Sequence, residues 1–259
     1  TMIRNFLYID ILGFSEMVQK RPSKIEKIFQ IIDGLSVYKH YAFETIVFSD
    51  TILVFNKKDN APNHYYITYL IEFVQQLFYR LLSIGVYFKG VITYGEFNFK
   101  SMNNIQAYWG DALIETYNDA NLLQGFGLFV NKKLSVDIVT FDKLDNVDSK
   151  YDYILLCQSY INLYNSTKGN LPIEIETLYE TDEYNQIDED IRFFREIRYV
   201  IDNCTVHKIA NKYLVVYMWY KNYTYTLFKQ LEDGNFSLSV LNADYMERIN
   251  PYDIIAEVE

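Results

Sequence analysis

Residues 6–14 read FLYIDILGF, and this stretch decides how the N-terminal half folds. Aliphatic side chains stand at every second position, which predicts a buried strand that carries Asp10 on the face opposite to them. Gly13 interrupts the strand, and we expect a helix to begin there. The strand therefore delivers one carboxylate beside a helix N-terminus.

A second carboxylate, Asp50, interrupts the apolar, β-rich segment 44–55, where we predict two strands joined by a tight turn. Taken alone, Asp10 is explained as a helix cap and Asp50 as a turn residue. The two aspartates together are stronger evidence for a site than either alone, because the first and third strands of a β-α-β-β unit are neighbours. Two close carboxylates repel each other unless a cation lies between them, so the pair predicts a site for a divalent metal and a polyphosphate.

The following segments complete a βαββαβ order. Ser23 and Glu26 form a capping-box pattern, which predicts a helix over residues 23–36. The clearest helix comes next, predicted by one apolar stripe: Ile67, Leu70, Ile71, Val74, Leu77, Phe78 and Leu81. Gly85 ends it and a strand over 86–95 follows. This is the ferredoxin-like split order, so we expect an α+β fold with both helices on one sheet face and Asp10 on an open one.

The rest of the chain predicts a mainly helical extension. In chain order we expect a polar loop over 96–106, a helix over 111–123, a strand over 128–131, helices over 151–164 and 188–201, and a long helix over 208–231. The last segment is ambiguous, because its Tyr and Val content favours strand while its length and lack of Gly and Pro favour helix.

Composition excludes several classes of protein. The 259 residues carry a formal net charge of −10, which argues against a general nucleic-acid binder. Cys157 and Cys204 are far apart and the three histidines are scattered, so neither a zinc site nor a disulfide framework is expected. The longest apolar run, 214–220, is too short to span a membrane, and the N-terminus lacks a signal pattern. We expect a soluble cytoplasmic protein without a membrane or nucleic-acid partner.

The sequence resembles class III nucleotidyl cyclases. FLYIDILGFS matches the first metal motif of that family, in which Asp10 and the carbonyl of Ile11 bind metal and Gly-Phe follows. Asp50, after Phe-Ser, takes the place of the second metal aspartate. KGVITYG resembles a later strand of the family, and Tyr-Trp-Gly at 108–110 resembles its WG turn. The resemblance covers about residues 3–135, and it implies a catalytic domain over 1–149 with an extension over 150–259 packed on it.

The departures from the family pattern indicate the substrate class. The two positions that read a purine base hold Ile46 and Ala107, neither of which offers a side-chain hydrogen bond. The family's ribose-binding Asn and phosphate-binding Arg fall on Ile114 and Asn118, so the Arg is missing. With the run WGDALIETY at 109–117, these features are most similar to the pyrimidine cyclases of bacterial Pycsar antiphage defence.

The resemblance implies an enzyme that converts UTP, with CTP as the alternative, to the 3′,5′-cyclic monophosphate and pyrophosphate. It implies a homodimer with sites between the subunits, two Mg²⁺ or Mn²⁺ ions per site, and a separate effector protein that the product activates. The implied roles are metal binding by Asp10, Ile11 and Asp50, a catalytic contact by Asn118, phosphate binding by the N–H groups of Leu12, Gly13 and Phe14, and a base pocket of Ile46, Phe48 and Ala107.

Three alternatives stay open at this point. A degenerate cyclase-like domain would bind a nucleotide without turning it over, and the missing Arg favours this. An adenylate or guanylate cyclase is the second. A diguanylate cyclase or polymerase-like protein shares the topology, but the chain has no GGDEF run and its acidity disfavours a template binder.

Overall fold

A computed structural model describes residues 2–57, 64–136 and 138–248. They form the strands β1 Ile3–Ile11, β2 Phe43–Phe48, β3 Thr51–Asn56, β4 Phe88–Glu96, β5 Asn98–Ser101, β6 Gln106–Trp109, β7 Gly127–Asn131, β8 Lys143–Leu144 and β9 Tyr151–Ile154. The helices are α1 Phe14–Lys20, α2 Pro22–Asp33, α3 His64–Leu82, α4 Asp111–Leu122, α5 Lys132–Ser135, α6 Gln158–Thr167, α7 Ile175–Glu180, α8 Ile187–Asn203, α9 His207–Tyr223 and α10 Tyr225–Asp233.

The chain divides into two compact units. The first comprises Thr1–Leu123 and Gly127–Ile154 and contains all of the strands just named, and the second comprises Gln124–Phe126 and Leu155–Glu259 and is helical. The expected α+β fold with a helical C-terminal part is therefore confirmed. The functional boundary at residue 149 stays a prediction. In the described part of the chain, no helix is both long and apolar enough to cross a membrane.

In the first unit, seven of the nine described strands form one sheet in the order β2-β3-β1-β4-β7-β9-β8, and β5 and β6 form a separate two-stranded sheet. The central strand β1 pairs antiparallel with both β3 and β4, and β2 pairs antiparallel with β3. These four strands have the ferredoxin-like arrangement that the element order predicts. Beyond them, β4 pairs parallel with β7, and β7 pairs antiparallel with β9.

Among the helices that precede β4, α3 agrees with the sequence prediction and the start of α2 corrects it. All seven residues of the predicted α3 stripe are buried, which confirms that helix. The capping box at Ser23 is wrong, because α2 begins at Pro22 and its N-cap residue, Arg21, makes no side-chain cap. A proline suits the first helical position, since its missing N–H would have had no partner there.

Two segments differ from the predicted type. The expected polar loop 96–106 holds β5 and the start of β6, a separate hairpin in which Phe99 stacks on Tyr108 with ring centroids 5.2 Å apart. The first part of the expected helix over 151–164 is instead β9, whose residues are all buried. Strand pairing with β7, which is distant in sequence, decides this segment.

The second unit confirms helix over most of 208–231 but as two helices. The break falls at Thr224, whose Oγ1 donates to the Tyr220 carbonyl at 2.8 Å and bonds the Tyr160 hydroxyl at 2.6 Å. Thr224 is fully buried. A threonine that satisfies its hydroxyl in this way ends a helix without the Gly or Pro signal that sequence reasoning looks for.

Glu232 at the end of α10 is a hub of charge-assisted hydrogen bonds. Its carboxylate accepts from the Tyr217 hydroxyl at 2.6 Å, from Lys221 Nζ at 2.7 Å and from Arg198 at 3.3 Å. Burial raises the pKa of Glu232, but hydrogen bonds from Lys221 and Tyr217 outweigh it and hold that pKa below its ordinary value. The hub joins α8, α9 and α10.

Glu232→Gln is expected to destabilise the protein at pH 7 by about 1–3 kcal/mol, the cost of weakening hydrogen bonds to a charged group. Because the folded-state pKa is depressed, the stabilisation from Glu232 is present above its unfolded pKa and is lost as pH falls through the folded value. Urea unfolding from pH 7 to pH 3 should therefore show the two proteins converging in acid. A constant difference across that range would contradict the expectation.

Candidate functional site

Asp10 and Asp50 lie at the same end of the sheet, Asp10 near the end of β1 and Asp50 in the turn before β3. Asp10 is the penultimate residue of β1 and lies opposite Thr51 of β3. Asp50 closes the β2–β3 turn, where Ser49 has a positive φ of 56°. The Ile11 N–H donates to the backbone carbonyl of Asp50 at 2.9 Å. The turn is therefore bonded directly to the strand residue that follows Asp10, as the topology predicts.

Tyr8 of β1 is influenced by the charges of both aspartates. It lies two residues before Asp10 on the same strand face and is buried. Burial, then the charges of Asp10 and Asp50, raise the pKa of Tyr8 to about 12, while a hydrogen bond with the side chain of Thr51 lowers it. The charges of both carboxylates therefore act on the Tyr8 hydroxyl. Sequence reasoning missed Tyr8, although its period-two relation to Asp10 was a signal.

Lys89 and Arg4 are buried charged residues of the sheet. They are 6% and 3% exposed. Arg4 Nε donates to the Phe97 carbonyl at 2.8 Å, and its guanidinium lies 5.3 Å from the Phe55 ring centroid. Lys89 lies directly opposite Asp10 in the β1–β4 pairing. Arg4 is structural, whereas Lys89 belongs to the surroundings of the site.

Helix α4 covers part of the sheet face that the sequence predicted to be open. A Cβ added at Gly95 of β4 would lie 3.3 Å from the Cβ of Ala112 in α4. The Tyr117 ring of α4 meets the Tyr8 ring edge to face at 6.3 Å. The prediction of a wholly open face is therefore wrong over β1 and β4. Gly95 explains the close approach, because it presents no side chain to the helix.

The two β2 residues predicted to line a base pocket share the Asp10 face. Phe48 lies opposite Thr51, which lies opposite Asp10, and directly paired residues point to the same side of a sheet. Ile46 lies two residues earlier on that face and is half-buried, whereas Phe48 is 79% exposed. At the edge strand β2, this face of the sheet thus presents apolar side chains to solvent.

Ala107, the third predicted pocket residue, is on a different sheet. It lies in β6 opposite Lys100, in the two-stranded hairpin. Asn118, the predicted catalytic residue, is exposed on the outer face of α4, as is Ile114. The structure assembles Asp10, Asp50 and the β2 residues at the sheet, and it carries Ala107 and Asn118 on the elements that follow β4.

The loop after β1 fits only part of the predicted phosphate cradle. Gly13 adopts the left-handed conformation with φ 72°, and no atom lies within 4 Å of an added Cβ, so the space where a side chain would stand is open. Phe14 buries its ring against Phe29. The Leu12 N–H donates to the Tyr87 carbonyl at 2.9 Å, so the predicted phosphate contact of Leu12 is corrected.

The donor set suits a hard divalent cation. Two carboxylates near a backbone carbonyl are oxygen ligands of the kind that Mg²⁺ and Mn²⁺ prefer. Within the described ranges, no group of three or more His, Cys, Asp or Glu side chains could hold a metal ion. A cation at Asp10 and Asp50 would therefore complete its shell with water and substrate oxygens, as Mg²⁺ commonly does.

Comparison with known proteins finds likeness in structure alone. No family model matches the chain, and no curated protein matches it. The adenylyl cyclase CyaB from P. aeruginosa is 10% identical with a TM-score of 0.42, over 59% of this chain and 93% of that one. The guanylate cyclase domain of RhGC from Catenaria anguillulae, solved with GTP, is 9% identical with a TM-score of 0.41, over 60% and 96%.

A bacterial light-regulated adenylyl cyclase is 9% identical with a TM-score of 0.46, over 60% of this chain. The chain spans about half of the length of that protein, 52%. At such identities the likeness extends to the fold alone.

Proposed function

We propose that the protein is a nucleotidyl cyclase that acts on a pyrimidine nucleoside triphosphate. The observation that carries the proposal is the meeting of Asp10 and Asp50 at the ends of β1 and β3, next to the left-handed turn at Gly13. Paired carboxylates at the end of a ferredoxin-like sheet suit a triphosphate held through divalent cations.

Asp10, Asp50 and the carbonyl of Ile11 would hold the cations, two Mg²⁺ or Mn²⁺ ions per site. Such ions, when bound, lower the pKa of the ribose 3′-hydroxyl and offset charge on the leaving pyrophosphate. The role of the protein's own residues is to position the substrate. Gly13 and Phe14 offer backbone N–H groups to the phosphates, and the exposed Asn118 supplies a polar contact on α4.

The reaction needs no protein nucleophile. The ribose 3′-oxygen forms a bond to the α-phosphorus, and the bond from the α-phosphorus to the oxygen that bridges to the β-phosphate breaks. Pyrophosphate leaves and the hydroxyl proton passes to solvent. Attack is in line, so holding the ribose and the triphosphate in the correct geometry supplies much of the catalysis.

The preference for a pyrimidine follows from the apolar pocket. Ile46, Phe48 and Ala107 offer contact surface but no side-chain hydrogen bond with which to select a purine. UTP is the favoured substrate and CTP the alternative. The exposed Phe48 at the sheet edge supports a homodimer, with each base pocket completed by Ala107 of a second copy. In this proposal the cyclic product is a second messenger of antiphage defence and activates a separate effector.

A nucleotide-binding module without turnover is the second candidate. Two observations favour it: Asn118 stands where the resembled family has its phosphate-binding Arg, and the Leu12 N–H is already bonded within the protein. Tight binding of a triphosphate in the presence of Mn²⁺, without a cyclic product, would select this function over the first.

The deciding assay incubates the protein with ATP, GTP, CTP and UTP separately, each with Mn²⁺, and identifies products by mass. Cyclic UMP or cyclic CMP with release of pyrophosphate is the expected result. A cyclic purine as the main product would reassign the enzyme as an adenylate or guanylate cyclase. Formation of no cyclic nucleotide by the dimer at high protein concentration would contradict the proposal.

A further inference from the structure

Lys89 occupies an unusual place for a lysine. It is 6% exposed and stands in β4 among apolar neighbours, directly opposite Asp10 of β1. Lysines are almost never this buried unless their charge is balanced. Two groups are placed to balance it, the end of α4 and the Asp10 carboxylate.

The ammonium closes the C-terminal end of α4. Its Nζ donates to the Ala120 carbonyl at 2.9 Å and to the Leu123 carbonyl at 2.6 Å. The Ala120 carbonyl lies in the last turn of the helix and the Leu123 carbonyl at its C-cap. Carbonyls at a helix C-terminus have no following N–H group of the helix to bond. A cation at this end also interacts favourably with the helix dipole, so Lys89 fixes α4 on the sheet.

The same side chain begins next to Asp10. Directly paired residues of antiparallel strands point to one face, with Cβ atoms roughly 5 Å apart. Asp10 is half-buried and Lys89 is buried, so solvent screens their attraction less than at a surface. Lys89 therefore pairs with Asp10 through its strand, while its ammonium reaches the end of the helix that carries Asn118.

We propose that Lys89 is a positioning residue that links Asp10 to the end of α4, its ammonium offsetting the Asp10 carboxylate when no cation is bound. The link to Asp10 stands independently of enzyme activity. The corollary for metal binding rests on the proposed function: a cation at Asp10 meets repulsion from Lys89, so the lysine lowers the affinity of the site.

A double-mutant cycle tests the link without any nucleotide. Lys89→Gln removes the charge but keeps an amide donor for the α4 carbonyls, and Asp10→Asn removes the opposing charge. We expect the effect of Lys89→Gln on the unfolding equilibrium constant to be about tenfold smaller when Asp10 is already Asn. Additive effects would overturn the proposal. If Lys89→Gln alone does not fold, the double variant should fold, and its failure would also overturn the link.

Mn²⁺ titration, followed by the paramagnetic resonance signal of the free ion, tests the corollary. Lys89→Gln should bind Mn²⁺ several-fold more tightly than the wild type, whereas Lys89→Arg, which keeps the charge, should not. The matched control is Lys27→Gln, a change at an exposed lysine of α2 that should leave Mn²⁺ affinity unchanged. Unchanged or weaker binding of Mn²⁺ by Lys89→Gln would overturn the corollary for metal binding. It would not decide the proposed enzyme activity, which has its own assay.

Discussion

Asp50→Asn is expected to lower cyclic nucleotide formation by about 10³-fold or more, because losing one of the two carboxylates proposed to bind metal would remove several kcal/mol of transition-state stabilisation. Asp10→Asn should have an effect of the same size. The fold should survive Asp50→Asn, since the group that bonds the Ile11 N–H is the backbone carbonyl of Asp50, which the substitution leaves in place. The measurement is initial rate with the preferred triphosphate at saturating Mn²⁺.

The control for this prediction is Asp33→Asn, which removes an exposed carboxylate at the end of α2 and should leave the rate unchanged. Removal of divalent cations with a chelator should abolish activity, and added Mn²⁺ should restore it to the wild type but not to Asp50→Asn. Full activity of a folded Asp50→Asn protein would show that the carboxylate pair is not the catalytic centre.

Gly110→Ala is expected to cause the largest loss of stability. A Cβ at this position would lie 2.2 Å from the Glu96 carbonyl oxygen and 2.7 Å from the Phe97 Cα, and the residue has a φ of 154°. Backbone atoms cannot move aside as a flexible side chain does, so β6 and α4 must separate from the end of β4. We expect a cost of about 3 kcal/mol or more and a fall in Tm of roughly 10 °C.

Gly34→Ala is the matched control. Gly34 follows α2 with a φ of −75°, and the nearest atom to an added Cβ is the Arg80 guanidinium at 3.3 Å, which is the end of a flexible side chain. Its Tm should change by only a few degrees. Equal Tm values for Gly110→Ala and the wild type would mean that the close crossing at Gly110 does not constrain the hairpin and α4.

The sequence predicted those elements whose signal is local. The α3 stripe and the alternation in β1 each repeat over several turns or pairs, so the core face is specified without knowledge of neighbours. Segment 151–154 has no such signal, because its strand character comes from pairing with β7. The hairpin of β5 and β6 is similar, since Phe99 and Tyr108 stabilise it only once the two strands are opposite each other.

The candidate site divides in the same way. That Asp10 and Asp50 lie at one end of adjacent strands followed from element order, because a βαββαβ chain has few ways to pair its strands. Three features did not follow from the element order: α4 lies over the Asp10 face, the Leu12 N–H is bonded within the protein, and Lys89 is buried. Each depends on how a helix or a neighbouring strand is placed, which no short stretch of sequence encodes.

By itself the sequence therefore determined the order of strands and helices, the central position of β1 and the location of Asp10 and Asp50 at one end of the sheet, since these depend on periodicity and chain connectivity. Only the tertiary structure decided what surrounds those carboxylates. Docking of α4 through Gly95 and Lys89 joins residues more than 15 positions apart in sequence, and the hydrogen bonds of the Lys89 ammonium exist only after that docking. Buried charge is a property of the packed protein, because desolvation and partners arise together.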